Sequence, residues 1–321
     1  MSKRLKSWGF NHADSILKNP LFSRTNLLQG VFYKKPQTIY VEVTNECNLR
    51  CGTCRREMGE RKFGFMSFDL FMKIIDDAAA IGGVRLLLYF GGEPLMHPDF
   101  LKMLKYAVVK RSQFRDVGFF TNGMLLNEKI VDNIIELGVD NVTLSLDGIG
   151  LVNEKLRCGS SYPIIEKNIN YLLKARGKQS TPKIIINSTI SNQTDEELTA
   201  IKETWQNRLD EVRFSGMIGT PFKILDLKRA RNWNPNYLQQ KVCLEPFSNL
   251  AVLWDGDVAF CCQDIYGKGV IGNINDSDLM GIWNGKELKK IRHSLLTGNV
   301  EKTILCNKCE IFDFKNHKVK G

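Results

Sequence analysis

Residues 44–54 read Thr44-Asn45-Glu46-Cys47-Asn48-Leu49-Arg50-Cys51-Gly52-Thr53-Cys54 and follow an apolar, β-branched run over 38–44. Such a run is typical of a buried strand, so the three cysteines fall on the loop directly after it. Three thiolates leave one position of a four-ligand site open, as in catalytic metal sites. Zinc would usually add a histidine or a fourth cysteine nearby, so soft thiolate ligation with a vacancy favours an iron–sulfur cluster with one substitutable iron.

Five further apolar runs and five helical patterns follow this first strand. The predicted strands are 38–44, 84–90, 116–121, 141–146, 183–190 and 211–215, and the predicted helices are 68–78, 98–110, 128–137, 163–175 and 196–207. Ser67 can cap the first helix, and Thr194 with Glu197 has the spacing of a capping box. Strands that alternate with helices predict an α/β fold with a parallel sheet, and six units favour a partial (β/α)6 TIM-like barrel over a closed eight-fold one.

The alternation ends near residue 226. A hairpin is predicted at 250–262, because Asp255-Gly256 between two apolar runs is a strong turn signal. Short helices are predicted at 279–283 and 286–296, before Cys306-x2-Cys309. We therefore expect a basic extension over 1–35, a barrel over 36–225, a linker over 226–239, a small second domain over 240–312 and a tail over 313–321.

Composition excludes several classes of protein. The 321 residues are 43% hydrophobic and contain nine cysteines, with no apolar run of about 18 residues that would span a membrane. No signal peptide is evident, so we expect a cytoplasmic protein whose cysteines bind metal or react. The net charge is +10, and residues 1–36 hold seven basic residues against Asp14 alone. This segment is either a solvated extension or a contact for an anionic substrate, a nucleic acid or a membrane surface.

Unusual residues gather at the carboxyl ends of the predicted strands, where parallel α/β folds place their reactive groups. After the cysteine loop come Gly91-Gly92-Glu93-Pro94, Asn122-Gly123 and Asp147-Gly148, and strand 5 carries Asn187 and Ser188. All of these lie on one rim of the predicted barrel. Such a rim is typical of an enzyme.

With its Cys-x3-Cys-x2-Cys loop after the first strand, the sequence resembles the radical SAM superfamily. The resemblance implies that Cys47, Cys51 and Cys54 hold a [4Fe-4S] cluster whose fourth iron binds S-adenosyl-L-methionine (SAM). The Gly91-Gly92-Glu93-Pro94 element resembles the family's contact with the SAM amino group, and Glu93 can pair with an ammonium. Asn122, Ser145, Asp147 and Asn187 fall where the family lines its ribose and substrate pocket. Thr53 departs from the aromatic residue found in many members. An electron donor such as flavodoxin or ferredoxin is implied.

The C-terminal region resembles the SPASM/twitch subfamily, which appends an auxiliary cluster to the barrel. The match includes Trp254-Asp255-Gly256-Asp257-Val258, Ile271-Gly272-Asn273-Ile274 and Ile282-Trp283-Asn284. It implies an auxiliary [4Fe-4S] cluster in the short, twitch form with four ligands: Cys243, Cys261, Cys306 and Cys309. Cys262 is the alternative to Cys261, and a structural zinc is the alternative to the cluster.

Two cysteines remain outside these ligand sets. Cys158 and Cys262 are either small hydrophobes in the core or candidate hydrogen-atom donors to a substrate radical, as epimerases of this family require. The four histidines have no ligand spacing and are expected to be structural or exposed: His12, His97, His293 and His317.

The resemblance implies a radical SAM enzyme that abstracts hydrogen from a small molecule, such as a sugar or aminocyclitol, and then oxidises or epimerises it. Modification of a ribosomally made peptide is the alternative. A third hypothesis is a nucleic-acid modification factor, which the charge suggests but no appended RNA-binding module supports. A zinc-stabilised binding protein is the non-enzymatic alternative. Oxidation is favoured over epimerisation, because the auxiliary cluster could accept the second electron.

Overall fold

A computed structural model describes residues 34–54, 56, 61–216, 218–219, 223–224, 232–233 and 243–309. The expected tail, nearly all of the N-terminal extension and most of the linker lie outside these residues. The strands of the barrel are β1 (Thr38–Val41), β2 (Arg85–Leu88), β3 (Asp116–Thr121), β4 (Asn141–Ser145), β5 (Lys183–Ile190) and β6 (Glu211–Gly216). Its helices are α1 (Phe68–Ile81), α2 (Phe100–Val109), α3 (Glu128–Leu137), α4 (Leu151–Leu156), α5 (Tyr162–Arg176) and α6 (Asp195–Trp205).

Two-residue strands β7 (Ile218–Gly219) and β8 (Lys223–Ile224) follow the barrel and pair with each other. The second region then adds three strands and three helices. They are α7 (Glu245–Ser248), β9 (Asn249–Val252), β10 (Asp257–Ala259), β11 (Val270–Asn273), α8 (Leu279–Trp283) and α9 (Lys286–Thr297). The predicted hairpin is confirmed, because β9 and β10 pair in antiparallel fashion around Asp255-Gly256.

Nine strands form one sheet in the order β11-β10-β9-β1-β2-β3-β4-β5-β6. Neighbouring strands from β1 to β6 are parallel, as the alternation predicts. The barrel is therefore partial and not closed. On the other side of β1, β9 also pairs in parallel, so the hairpin of the second region continues the barrel sheet. The domain boundaries stay a prediction, but no break in the sheet separates the two regions.

Most of the predicted helix boundaries are confirmed by their capping residues. Ser67 accepts a hydrogen bond from the Leu70 N–H, and Thr194 and Glu197 form a reciprocal capping box. The helix predicted from residue 98 begins later, at Phe100, because His97 Nδ1 accepts the Asp99 N–H and holds these residues in a turn.

The first strand is also shorter than predicted. The Glu42 N–H still donates to the Val252 carbonyl of β9, but residues 43 and 44 leave the sheet and pair with the returning chain: the Met66 N–H donates to the Val43 carbonyl, and Thr44 bridges Phe65. The cysteine loop is therefore closed at its base by residues 61–66.

The core lies between the sheet and the helices. One side chain in two along each strand packs there, including Ile39, Leu88, Phe119, Leu144 and Ile186, each of which is fully buried. At about 25 cal/mol per Å² of apolar surface, this burial is the main stabilisation of the fold. The opposite, inner face carries polar and aromatic side chains, several of them partly exposed, together with the buried Leu87 and Ile185.

Candidate functional site

The cysteine loop is fixed mainly by its backbone. The Cys54 N–H donates to the Cys51 carbonyl at 3.0 Å, which makes a turn. The Arg50 N–H donates to the Cys158 carbonyl at 2.9 Å, and the Gly52 N–H to that of Leu156 at 3.2 Å. The loop therefore docks on the segment after α4. A cavity of about 50 Å³ is lined by Leu49, Arg50, Cys51, Cys54 and Arg56.

Burial disfavours the thiolate form of these cysteines unless a bound metal compensates the charge. Burial raises the pKa of Cys47, and burial raises the pKa of Cys51 to about 11. A bare thiol there stays protonated at neutral pH, whereas a bound metal displaces the proton and compensates the thiolate charge. Within the described ranges, no three histidine, cysteine or carboxylate side chains converge closely enough to hold a single ion. Two of the three thiols, those of Cys51 and Cys54, line the small cavity, and Cys47 lies on the same loop. Three soft thiolates on one loop are the donor set of an iron–sulfur cluster.

The two glycines of the Gly-Gly-Glu-Pro element pack against the chain itself. A Cβ on Gly92 would lie 2.4 Å from the Glu46 carbonyl oxygen and 2.5 Å from that of Thr44. A Cβ on Gly91 would lie 2.4 Å from Glu42 Oε1. The glycines are therefore required for close approach of this loop to the base of the cysteine loop, in addition to any contact with a ligand.

Glu93 joins three parts of the rim. Its carboxylate accepts hydrogen bonds from Thr121 Oγ1 at 2.8 Å, the Asn122 N–H at 2.7 Å and the Leu95 N–H at 3.2 Å, while its own N–H donates to the Glu46 carbonyl. The side chain is buried, and this burial raises its pKa to about 7 although the hydrogen bonds oppose the shift. A nearby cation would stabilise the charged form.

The other pocket residues expected from the sequence divide into two groups. Asn122 is close to the cysteines: its Nδ2 donates to Asn48 Oδ1 at 2.8 Å and lies 3.9 Å from Cys47 Sγ. Ser145 and Asn187 are direct partners on β4 and β5, on the inner face. Asp147 is fully buried, accepts the Thr189 N–H at 2.7 Å and pairs with Arg157, so in this structure its carboxylate serves the scaffold.

Arg157 is a site residue that no sequence pattern indicated. Its Nε lies 2.8 Å from Asp147 Oδ2, and the charges of Asp147, Cys51 and Tyr89 surround it, raising its pKa against the effect of burial. Its side chain is 13% exposed. In the sequence, the one feature that points to Arg157 is its position directly before Cys158, on the rim that carries the cysteine loop. The structure places a held guanidinium beside the proposed cluster loop.

The second set of cysteines lies in and beside the region's buried core. Cys243 and Cys306 are buried, and Cys261 and Cys309 are partly buried. Burial, reinforced by the charges of Glu245, Cys261 and Cys306, raises the pKa of Cys243 well above its usual value. Burial raises the pKa of Cys306 to about 12, with a contribution from Cys309. The charges of Cys261 and Cys306 thus contribute to the raised pKa of Cys243, and the charge of Cys309 contributes to that of Cys306.

The two remaining cysteines differ from the expectation of buried core residues. Cys158 is exposed, because its backbone rather than its side chain contacts the cysteine loop. Cys262 is partly buried and accepts a hydrogen bond from Gln263 Nε2 at 3.5 Å. Burial, together with the charge of Glu245, raises the pKa of its thiol well above the usual value. Burial raises the pKa of Tyr89 to about 12, with the charges of Cys262 and Cys54 adding to it. The pKa of Tyr89 is thus affected by one cysteine of the first loop and by one cysteine of the second region.

The structural or exposed character expected of the histidines can be checked at two of them. His97 is 5% exposed, and its Nε2 lies 2.9 Å from the Met66 carbonyl oxygen. Nδ1 accepts the Asp99 N–H at 3.0 Å, so Nε2 is the ring nitrogen placed to donate to Met66. His97 is therefore structural, and His293 is exposed on α9. His12 and His317 lie outside the described residues.

A buried ion pair joins the cysteine loop, the Gly91 loop and the second region. Glu42 pairs with Arg61, and its carboxylate also accepts the Gly91 N–H at 3.1 Å and the Trp254 N–H at 3.2 Å. Arg61 Nη1 donates to the Ile265 carbonyl at 3.0 Å. Residue Ile265 follows the Cys261-Cys262 turn by three positions. Through these hydrogen bonds, the Glu42–Arg61 pair links the base of the first cysteine loop to the segment that follows Cys262.

Comparisons with known proteins agree with this geometry. Residues 41–204 match the radical SAM superfamily, and residues 243–310 match SPASM, an iron–sulfur cluster-binding domain. The "tungsten-containing aldehyde ferredoxin oxidoreductase cofactor-modifying protein" of Pyrococcus furiosus is 27% identical, over 77% of this chain and 81% of the relative. A probable GTP 3′,8-cyclase of Methanococcus maripaludis is 32% identical over 144 residues, which is 44% of this chain and about half (47%) of the cyclase.

Solved structures have the same fold. BtrN in complex with AdoMet and 2-DOIA has a TM-score of 0.60 and 19% identity, covering 87% of this chain and 94% of BtrN. Streptococcus suis SuiB bound to precursor peptide SuiA has a TM-score of 0.68 and 17% identity, covering 97% of this chain and 78% of SuiB. At these identities, the likeness concerns the fold alone.

A partial barrel with a three-cysteine loop at its rim and a cysteine-bearing extension defines a cluster-dependent enzyme of the radical type. The chain belongs to the radical SAM superfamily and carries a SPASM/twitch cluster-binding domain. Membership implies a [4Fe-4S] cluster that works with SAM, together with an auxiliary cluster. In the described part of the chain, no helix is both long and apolar enough to cross a membrane.

Proposed function

We propose that this enzyme oxidises a small hydroxylated molecule inside the barrel, with Cys47, Cys51 and Cys54 as ligands of the SAM-binding cluster and Cys243, Cys261, Cys306 and Cys309 as ligands of the auxiliary one. The observation that carries the proposal is the position of Tyr89. Its side chain lies on the inner face of the sheet, stacked on Phe120, and the charges of Cys262 and Cys54 both contribute to its raised pKa. A substrate on this face would lie between the two clusters.

The bound cluster and SAM would supply a 5′-deoxyadenosyl radical that takes hydrogen from an unactivated C–H bond. The protein's own residues bind, orient and exclude water. Glu93 would accept the SAM ammonium, and Arg157 offers guanidinium hydrogen-bond donors to the SAM carboxylate. Asn122, Ser145 and Asn187 line the inner rim where the ribose and substrate would lie. Asp147 holds the Arg157 guanidinium in place through their ion pair.

SAM affinity is expected to rise with pH through neutrality. Because burial raises the pKa of Glu93 to about 7, much of this carboxyl is protonated at pH 6 in the absence of ligand, and binding an ammonium must release that proton. The pKa of Glu93 in the folded protein lies above the usual 4.5, so the ionised carboxylate destabilises the ligand-free fold. The contribution of Glu93 to the free energy of unfolding is therefore most favourable at low pH and is lost as the pH rises from about 4.5 to about 7. Calorimetry of SAM binding in buffers of different ionisation enthalpy measures the released proton.

The variant Glu93→Gln tests the same assignment. It should weaken SAM binding roughly 10- to 100-fold without removing iron, and it should abolish the pH dependence. The glutamine side chain has one oxygen and one NH2 group, so its NH2 group would face one of the three donors that now contact the carboxylate. Glu128→Gln, an exposed helix residue, is the matched control. An unchanged affinity in Glu93→Gln would exclude the carboxylate from the SAM site.

Oxidation and epimerisation differ in what meets the substrate radical. An epimerase returns a hydrogen atom from a thiol that exchanges with solvent, whereas an oxidising enzyme removes a proton and passes an electron to an acceptor. We expect no solvent deuterium at the reacting carbon after turnover in D2O, because the auxiliary cluster offers an acceptor. Mass spectrometry of the product measures this. Deuterium that appears in the parent and disappears in Cys262→Ala or Cys158→Ala, with iron content intact, would instead establish epimerisation.

Of these two thiols, Cys262 is the better candidate donor. Its charge raises the pKa of both Tyr40 and Tyr89, which follows from a position near the inner face, whereas Cys158 is exposed beside the cysteine loop. Cys261 remains our choice of auxiliary ligand, because the charge of Cys306 acts on it, and both Cys261 and Cys306 act on Cys243.

Modification of a ribosomally made peptide is the second candidate function. It is favoured by the likeness to SuiB, whose structure contains a precursor peptide. A peptide substrate would lose binding on removal of its leader sequence, whereas a small molecule has none. The net charge of +10 is the only support for a nucleic-acid substrate, and a steep salt dependence of binding would be required for it.

A further inference from the structure

The pairing registers place a specific set of side chains on the inner face of the barrel. Tyr40 is opposite Leu87, Leu87 is opposite Gly118, and Tyr89 and Phe120 follow these two by two residues. On the other side, Ser145 is opposite Asn187, which is opposite Arg213. Side chains two apart, or opposite each other, share a face of a sheet. Because the helices cover the other face, all of these side chains line the barrel interior.

One wall of this interior is aromatic. The rings of Tyr89 and Phe120 stack at a centroid distance of 4.2 Å, and Tyr40 meets Tyr89 edge-on at 6.5 Å. Burial raises the pKa of Tyr40 well above its usual value, so both tyrosines keep their O–H donors near neutral pH. The wall therefore offers an apolar surface with hydroxyl donors at its border.

The facing wall carries a guanidinium in a fixed orientation. Arg213 donates from Nε to Glu211 Oε1 and from Nη2 to Glu211 Oε2, each at 2.7 Å. This bidentate pair is about 17% exposed. Its Nη1 group has no hydrogen-bond partner in the described ranges and is free to donate into the interior. Neither Arg213 nor Glu211 belongs to the cluster and SAM groups assigned above.

In the described part of the barrel, three guanidinium groups on or beside the inner face are each paired with a carboxylate. Arg213 is paired with Glu211, Arg157 with Asp147 and Arg85 with Asp116. Each of these guanidinium groups offers hydrogen-bond donors but little net charge. Burying a phosphate here would leave it without a compensating cation from these three residues, which is costly. Uncharged hydroxyl groups incur no such cost and need only donors and acceptors.

We propose that the inner face is a binding site for an unphosphorylated, polyhydroxylated ring, which makes apolar contact with the stacked Tyr89 and Phe120 pair while Arg213 Nη1 donates to one of its hydroxyl oxygens. An apolar platform with a few oriented donors is the usual composition of such a small-molecule site. The proposal rests on the proposed function, since it places the ring between the two cysteine groups. It identifies Arg213 as a residue that determines substrate specificity.

The experiment measures ring binding to the full, anaerobically reconstituted and SAM-loaded protein. The probes are the neutral rings myo-inositol, scyllo-inositol and glucose, each tested with calorimetry or ligand-observed NMR, against inositol 1-phosphate, glucose 6-phosphate and GTP. At least one neutral ring should bind at concentrations up to about 10 mM, and its phosphorylated counterpart should bind more weakly. Arg213→Met should weaken that ring roughly 10- to 100-fold, and Arg213→Lys should restore part of the loss.

Two variants keep the test independent of folding. Glu211→Gln combined with Arg213→Met removes both charges of the pair and should show the same loss of binding. Arg176→Met breaks an ion pair with Asp210 outside the barrel interior and should leave binding unchanged. No binding by any neutral ring, tighter binding of a phosphorylated one, or full affinity in both Arg213 variants would overturn the proposal. SAM cleavage by the dithionite-reduced protein without substrate tests the radical chemistry separately.

Discussion

Replacing Cys47, Cys51 and Cys54 together by alanine should halve the iron content, from about eight to about four irons per chain, and abolish SAM cleavage. The remaining iron should belong to the auxiliary site, because Cys243, Cys261, Cys306 and Cys309 lie on the other side of β1 and are unaltered. Iron analysis and anaerobic assay of 5′-deoxyadenosine formation measure the two effects.

Cys158→Ala is the matched control for this experiment. Its thiol is exposed, and only its backbone carbonyl holds the cysteine loop, so the variant should keep about eight irons and full SAM cleavage. If the parent protein contains only about four irons together with zinc, the auxiliary set binds zinc and the four-thiolate cluster assignment is wrong.

Replacing Arg61 by methionine should destabilise the whole protein by about 3–5 kcal/mol, because it leaves the fully buried Glu42 carboxylate without its cation. It should also weaken SAM binding, since the same carboxylate holds the Gly91 N–H. Urea denaturation followed by circular dichroism measures the first effect, and calorimetry measures the second. Lys290→Met, which breaks an exposed pair with Glu287, should leave the stability nearly unchanged, because solvent screens that pair.

The destabilisation in Arg61→Met should depend on pH in a defined direction. Burial already raises the pKa of Glu42 in the parent, and loss of the guanidinium raises it further. A folded-state pKa above the unfolded one destabilises the fold only where the carboxyl is ionised. The variant should therefore approach the parent in stability at low pH and fall behind as the pH rises. A deficit that is constant with pH would mean that Arg61 acts through packing instead.

The helices and strands could be predicted well because most of their boundaries are set locally. Ser67, Thr194 and the Asp255-Gly256 turn act on residues within four positions, so their effects can be inferred from spacing. The cysteine loop and the Gly-Gly-Glu-Pro element were likewise recognisable from the order of residues along the chain. Such features need no knowledge of tertiary contacts.

The missing parts of the site depend on contacts between distant residues. Arg157 gains its importance from burial against Asp147 and from proximity to Cys51, and neither can be inferred from a single basic residue in a loop. Glu42 was predicted to lie in a strand, yet it binds Arg61 and Trp254, the latter 212 positions away. The exposure of Cys158 follows from docking by its backbone, which a composition-based expectation of burial does not capture.

The continuity of the sheet across β1 also determines how the molecule can be divided. A truncated chain that ended near residue 225 would lack β9, and the backbone donors and acceptors of Thr38–Val41 that now pair with Asn249–Val252 would become an open edge. An uncovered central strand of this kind is a template for pairing with a second chain. The cluster-binding extension therefore also protects the barrel against aggregation, and the two regions should fold and unfold as one cooperative unit.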